Sequence, residues 1–390
     1  MVSTPIRGYA EGYYGRLLSW SERGQLLECL AQLGFNSYLY APKEDVCHRW
    51  QWRKSYSSSW RKSFSEFCQK AAEYNIDVVA GVAPGIDFNF AHLNNGADFR
   101  SLADKCRQLK RDGAYAISLL MDDIDTDFKQ RSAGFLSEGV AHATLANELA
   151  STLASDSPDT AKRIRSQTEN TLWVTPRIYA DELAGEDPDY LPAFLTTLDQ
   201  QHLILYSGSD IVSRTLSKEF DQLLRIHSEH RTVAWDNLYA NDYCPRRLFV
   251  GPWQGRCGIK NVLLNPTGMV HTDCLLLDMM ASCDASSCTD DIVPAVLLRH
   301  GVPVSFLSLL NYFYHPVFNE AADVPKGAPN PEALDALEDC LWHWKSPLSR
   351  EWYPYLFGLK HDLLIQAGKL PDLRIQKTQT SPLAHTLLNT

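Results

Sequence analysis

Short apolar runs rich in β-branched or aromatic side chains recur at Ile6–Ala10, Ser37–Ala41, Asp77–Ala83, Ala114–Met121, Thr171–Thr175, Leu203–Ser207, Thr232–Trp235 and Asn261–Leu264. Between them lie stretches with apolar residues at i, i+3 and i+4, among them Ser21–Leu33, Ser65–Tyr74, Phe99–Arg111, Gly139–Ala154 and Ser213–Ser228. Strand-length runs alternating with helical repeats are the mark of βα units around a parallel sheet. The eight runs predict an α/β fold, a closed (β/α)8 barrel of the TIM type, over residues 1–275. Beyond residue 275 longer helical patterns follow at Pro331–Trp344 and Trp352–Gly368, with Pro- and Gly-rich breaks at Val324–Pro331. A helical C-terminal domain is therefore expected over residues 276–370 and a loosely ordered tail over 371–390.

Barrels of this kind build their active sites from the βα loops at the C-terminal ends of the strands. Those positions here are polar and aromatic: Glu11-Gly12-Tyr13-Tyr14-Gly15-Arg16, Pro42-Lys43-Glu44-Asp45, Pro84-Gly85-Ile86-Asp87, Asp122-Asp123-Ile124-Asp125, Tyr179, Asp236-Asn237 with Asn241-Asp242, and Asn265-Pro266. The fourth is the most informative. An apolar strand, Leu119-Leu120-Met121, ends abruptly in adjacent carboxylates. Like charges this close push one pKa upward, so one aspartate stays protonated as an acid while its neighbour stays ionised, as glycoside hydrolysis requires. Neighbours on a regular strand face opposite ways, so an irregular turn is expected where Asp122 and Asp123 meet one ligand.

Plainer readings compete. Asp123-x-Asp125-x-Asp127 begins like a calcium loop, but Phe128 stands where the sharp turn needs glycine and no glutamate follows at the twelfth position. A magnesium site for phosphoryl transfer lacks a Gly-rich phosphate loop and a basic cluster. Carboxylates also cap helices, the role expected of Asp125 and Asp127.

Composition narrows the partners. The 390 residues, 45% apolar and 22% charged, suffice for a large domain and a smaller one. A net charge of −10 and a pI near 5.6 argue against a nucleic-acid groove or an anionic membrane surface. The ten cysteines include no C-x-x-C, and Cys283 and Cys288 lack His or Cys partners at zinc spacing, so they read as mostly buried thiols. Met1–Arg7 lacks the pattern of a secretory signal, and no 18-residue apolar stretch exists, so a cytoplasmic setting without membrane attachment is expected.

Several blocks, taken together and in order, resemble glycoside hydrolase family 84, the O-GlcNAcase and bacterial β-N-acetylglucosaminidase family. They are Glu11-Gly-Tyr-Tyr-Gly-Arg16, Tyr38-Leu-Tyr-Ala-Pro-Lys43 with His48-Arg49, Asp122-Asp-Ile-Asp125, Trp235-Asp-Asn-Leu-Tyr-Ala-Asn-Asp-Tyr243 and Asn265-Pro266, spanning residues 7–270. After Gly15-Arg16 the family's Pro-Trp is replaced by Leu17-Leu18-Ser19-Trp20, a change in the loop beside the site.

The resemblance implies a retaining exo-β-N-acetylglucosaminidase that uses the sugar's own acetamide as nucleophile, through an oxazoline, with no cofactor and no metal. By position in the motifs, Asp122 would orient the acetamide and Asp123 would act as general acid and then base. Gly12, through its backbone, and Lys43 would hold ring hydroxyls on one side, Asp242 and Asn265 on the other. Tyr179, Trp235 and Asn237 would shape the acetamide pocket. The implied ligand is β-linked N-acetylglucosamine on Ser or Thr of proteins, and by analogy the helical C-terminal region would support a homodimer.

Each position also has an ordinary reading: Lys43 as a solvated cation, Trp235 as core, Gly12 as a turn residue with positive φ. His48, His142 and His271 form no ligand spacing and read as structural. Three other functions remain open: a related glycosidase acting on glycans or hyaluronan-like polymers, a non-catalytic reader of GlcNAc-modified proteins, and a metal-dependent hydrolase. Retention of both aspartates argues against the reader, which has no need of a general acid.

Overall fold

The structure, a computed structural model, describes residues 4–93, 96–124, 128, 134–135, 137–155, 171–216, 220–226, 229–244, 247–256, 258–285, 291–314 and 331–370. Eight parallel strands close into a barrel in chain order: β1 (Arg7–Glu11), β2 (Ser37–Tyr40), β3 (Asp77–Val82), β4 (Ala116–Leu120), β5 (Trp173–Thr175), β6 (Leu203–Tyr206), β7 (Arg231–Asp236) and β8 (Val262–Leu264). Ala10 stands opposite Leu39 on β2 and Tyr9 opposite Leu264 on β8, so β1 completes the ring and leaves no open edge. Every predicted run becomes a strand, with ends within two residues of expectation.

The barrel is filled by every second residue. Ala10, Leu39, Ala41, Val79, Ala83, Ala116, Leu120, Trp173, Leu203, Leu205, Val233, Trp235 and Leu263 form one buried cluster inside it. Between and after the strands lie the helices α1 (Trp20–Gln32), α2 (Ser58–Glu73), α3 (Ala97–Arg111), α4 (Glu138–Ser155), α5 (Tyr190–Thr197), α6 (Gln222–Arg225) and α7 (Val270–Ala285), with α2 packed on β3 and α3 on β4. Ser19 starts α1 with a capping box: its hydroxyl accepts the Glu22 amide at 3.2 Å while the Glu22 carboxylate accepts the Ser19 amide at 2.7 Å. The residues that replace the family's Pro-Trp thus supply the helix with its start.

Two helices differ from expectation. α2 begins at Ser58, not Ser65, because the Ser57 hydroxyl caps it at Trp60, whose ring stacks on Tyr56 at 3.5 Å. The helix expected over Ser213–Ser228 shrinks, among the described residues, to Gln222–Arg225. Arg256 takes the carbonyls of Ser213 at 2.7 Å and Arg214 at 2.6 Å, the acceptors a helical turn there would need.

The chain divides into two compact units, Met1–Asp242 with Trp253–Leu277, and Tyr243–Pro252 with Asp278–Thr390. In the second, α8 (Ile292–Arg299), α9 (Pro331–Trp342) and α10 (Pro347–Gln366) surround a core where Trp352 packs on Phe306 at 5.1 Å and Trp344 at 5.5 Å. Residues 324–330 and the expected tail over 371–390 lie outside the described residues, as do Asp125 and Asp127. Of eight described cysteines, all free, four are buried and four half-buried, fewer buried than their sequence context suggested. No described helix is long and apolar enough to cross a membrane.

Candidate active site

A period of two carries the barrel interior into the site. Two residues beyond Ala10, Ala41, Leu120, Trp235 and Leu263 of the inner cluster stand Gly12, Lys43, Asp122, Asn237 and Asn265. The inward row therefore changes from apolar to polar at the C-terminal mouth. The outward row ends in polar residues too, and these are structural. Glu11 is fully buried in a paired hydrogen bond with Arg23 at 2.7 and 2.8 Å and accepts the Tyr38 hydroxyl at 2.7 Å. Asp236 is held by Arg256 at 3.0 Å and by the Trp253 indole at 2.8 Å. Asp45, in the loop after β2, is structural as well: it accepts the Tyr40 hydroxyl at 2.6 Å and the Tyr56 hydroxyl at 3.0 Å.

Asp123 would belong to the outward row, but its φ is +53°, a left-handed conformation just past the end of β4. The expected irregular turn is there. It brings Asp123 to the same side as Asp122, because aspartate tolerates this region better than most side chains. Tyr14 donates to Asp123 Oδ2 at 2.8 Å and Tyr179 to Oδ1 at 2.9 Å. Lys43 pairs with Asp122 Oδ2 and stands 3.7 Å from Asp123 Oδ2. Arg49 donates to the Asp123 carbonyl and to the Tyr14 hydroxyl.

These partners overturn one expectation. Burial pushes the Asp123 carboxyl upward, yet Lys43, the Tyr14 and Tyr179 hydroxyls and Arg49 outweigh it, leaving its pKa below the usual aspartate value. Two cations among the two carboxylates cancel the like-charge effect, so Asp123 is ionised in the free protein at neutral pH. Asp122 is nearly buried, and its Oδ1 has no hydrogen-bond partner among the described residues.

The opposite wall is a network of amides. Asn265 accepts the Gly12 amide at 3.0 Å and donates to Asn237 Oδ1 at 2.9 Å; the Trp235 indole donates to the same Asn237 oxygen at 2.9 Å. Asn237 in turn donates to the Ile211 carbonyl at 2.7 Å. Asp242 accepts the Tyr14 amide at 2.9 Å. Gly12 is glycine for space, not for positive φ: a Cβ there would lie 2.2 Å from the Trp235 ring. Lys43, at 3% exposure, is no solvated cation.

All nine residues singled out from the sequence, Gly12, Lys43, Asp122, Asp123, Tyr179, Trp235, Asn237, Asp242 and Asn265, therefore stand at the strand ends. Direct contacts tie Lys43, Asp122, Asp123 and Tyr179 into one group and Gly12, Trp235, Asn237 and Asn265 into another, with Tyr14 touching both Asp123 and Asp242. Tyr14 and Arg49 were missed as site residues. Both lie inside the blocks that carry the resemblance, where the only available signal was their place beside Tyr13 and His48.

A closed parallel barrel with paired aspartates, a buried lysine and an amide-lined wall at its C-terminal mouth defines a glycoside hydrolase type of site. The family model for beta-N-acetylglucosaminidase matches residues 7–272. Protein O-GlcNAcase of Mus musculus and that of Rattus norvegicus are each 30% identical over 269 residues, covering 66% of this chain and 28% of theirs. This chain thus spans under a third of the curated relatives' length. In fold it is similar to an O-GlcNAc hydrolase mutant of Thermobaculum terrenum, with a TM-score of 0.70 and 18% identity over 97% of this chain and 79% of that one. The chain belongs to the β-N-acetylglucosaminidase family, glycoside hydrolase family 84.

Proposed function

We propose that this protein is a retaining exo-β-N-acetylglucosaminidase that removes β-linked N-acetylglucosamine from Ser and Thr side chains of proteins by substrate-assisted catalysis. The observation that carries the reading is Asp122 Oδ1, a buried carboxylate oxygen without a donor among the described residues. Leaving such an acceptor unmet costs about 1–3 kcal/mol or more, which a bound ligand's N–H recovers. Oδ2 is already fixed by Lys43, so the free oxygen has one orientation.

In the first step the acetamide oxygen forms a bond to the anomeric carbon while the acetamide N–H is held by Asp122 Oδ1. The bond from that carbon to the leaving oxygen breaks with its electron pair, and the leaving oxygen takes the proton of Asp123. In the second step water adds to the anomeric carbon, gives its proton to Asp123 and displaces the acetamide oxygen, restoring the sugar with retained configuration. Gly12 and Lys43 hold ring hydroxyls on one side, Asp242 and Asn265 on the other; Tyr179, Trp235 and Asn237 enclose the acetamide methyl.

Asp123 must be protonated for the first step, although the free protein favours its anion. Sugar binding strengthens the burial that already pushes it upward, and draws Lys43 and Tyr179 toward the ligand. The similarity to mammalian protein O-GlcNAcases supports a protein-linked sugar, and the net charge of −10 agrees with a partner that is neither nucleic acid nor an anionic membrane. Homodimerisation through residues 276–370 belongs to the same reading.

Kinetics on aryl β-N-acetylglucosaminides separate the two aspartates. Asp123→Asn slows poor leaving groups far more than activated ones, while Asp122→Asn slows both. Equal losses for Asp123→Asn on all leaving groups would remove it as the acid.

A further inference from the structure

Arg49 lies within a block that carries the family resemblance but receives no role from it, yet it touches both the turn that presents Asp123 and the tyrosine that donates to Asp123. Its side chain is buried, its Nη2 donates to the main-chain carbonyl of Asp123, and its Nη1 donates to the Tyr14 hydroxyl. Its Nε has no partner among the described residues, so the two terminal nitrogens do the holding. We propose that Arg49 is the positioning residue for the general acid, fixing both the left-handed turn that presents Asp123 and the direction of the Tyr14 proton. The proposal rests on Asp123 being the acid and base of the reaction.

The first half follows from the backbone. A non-glycine residue at φ +53° persists only where its surroundings over-determine it. Within the turn, β4 has ended at Leu120, so strand pairing no longer fixes the peptide that leaves Asp123. The guanidinium captures that peptide's oxygen.

The second half follows from proton counting. A phenol oxygen that accepts from Arg49 keeps its own O–H to give, and its acceptor is Asp123 Oδ2 at 2.8 Å. Tyr179 serves Oδ1 at 2.9 Å, so the carboxyl plane is held from both sides. Among the described residues, the charged and titratable groups facing Asp123 are then Lys43, Asp122, Arg49, Tyr14 and Tyr179. Arg49 alone among them binds both the turn and a hydroxyl that aims the carboxylate. A planar fork suits two acceptors in fixed directions; a lysine keeps the charge without that geometry.

The test compares kcat/KM for Arg49→Met, Arg49→Lys and Asp123→Asn on aryl β-N-acetylglucosaminides of graded leaving-group pKa. Misplacing the acid predicts that Arg49→Met loses about 10²-fold on the phenyl glycoside and only a few-fold on the dinitrophenyl one. Arg49→Lys falls between wild type and Arg49→Met, with the same bias toward poor leaving groups. A merely structural arginine would slow all substrates alike, and that result overturns the proposal. If Arg49→Met does not fold, Arg49→Lys decides: a leaving-group dependence identical to wild type overturns it. Should Asp123→Asn itself show no leaving-group dependence, the acid assignment has failed instead, and the two failures are distinct.

Discussion

Replacing Lys43 by methionine removes the cation shared by the two aspartates while keeping most of the side-chain volume. The ammonium is 3.7 Å from Asp123 Oδ2. At an effective dielectric constant of about 20, a unit charge at that distance favours the anion by about 4 kcal/mol, equivalent to about 3 pH units. The Asp123 side chain is about one-third open to water, so screening reduces this to about one or two units. The sign is fixed: without the cation the protonated form gains, and the pKa of Asp123 rises. In a profile of kcat/KM against pH, which reports the free enzyme, the basic limb for Lys43→Met should lie about one to two units above that of wild type. The maximum should fall, since Lys43 also holds a ring hydroxyl in the proposed complex. Asp122, nearly buried, loses its ion-pair partner, and breaking a buried pair from one side costs about 3–5 kcal/mol, visible as a lower urea midpoint. A basic limb that stays put or moves down would refute the electrostatic account.

Other consequences follow from the same contacts. The basic limb of kcat should lie above that of kcat/KM in the wild-type enzyme, because the bound sugar buries Asp123 further; coincident limbs would contradict this. Gly12→Ala puts a Cβ 2.2 Å from the Trp235 ring, so the indole must move; a loss of about 1–3 kcal/mol in stability and a raised KM are expected, checked by urea denaturation and steady-state kinetics. His48 and His202 are buried and pushed down to about 4, so they stay neutral in the native state while the unfolded chain protonates them at ordinary pH values. Stability should therefore be level at neutral pH and fall as the pH drops toward 4, by up to about 1.4 kcal/mol per unit for each histidine. Urea midpoints across that range measure it, and a flat response would contradict the burial of the two rings.

The strands were legible because each is a short buried run, and a strand filled on both faces reads as continuous hydrophobicity. The strand-end chemistry was legible for a related reason: carboxylates or amides directly after such a run have few structural explanations. What the sequence hid was direction. Glu11 and Gly12, or Asp236 and Asn237, are adjacent letters, and only the two-residue alternation sends Gly12 and Asn237 inward while Glu11 and Asp236 anchor Arg23 and Arg256 behind the barrel. Asp123 escapes its own parity through a left-handed backbone, the irregular turn expected from two adjacent aspartates meeting one ligand.

The electrostatics were misread for a similar reason. Two adjacent aspartates suggest a raised pKa, but Lys43 and Arg49 arrive from another loop of the barrel and reverse the balance. The shortening, among the described residues, of the helix expected over Ser213–Ser228 has the same origin, since the Ser213 and Arg214 carbonyls are claimed by Arg256, which is remote in sequence. Both are tertiary contacts that outweigh a local pattern.

The most direct test of the central claim is hydrolysis of an aryl β-N-acetylglucosaminide beside the matching β-glucoside, in chelator, with an oxazoline-mimicking thiazoline as inhibitor. Substrate assistance predicts cleavage of the acetamido sugar alone, blocked by the thiazoline and indifferent to the chelator. Cleavage of both sugars would contradict the acetamide's role as nucleophile, loss of activity in chelator would point to a metal-dependent hydrolase, and thiazoline binding without any cleavage would make the protein a reader of GlcNAc.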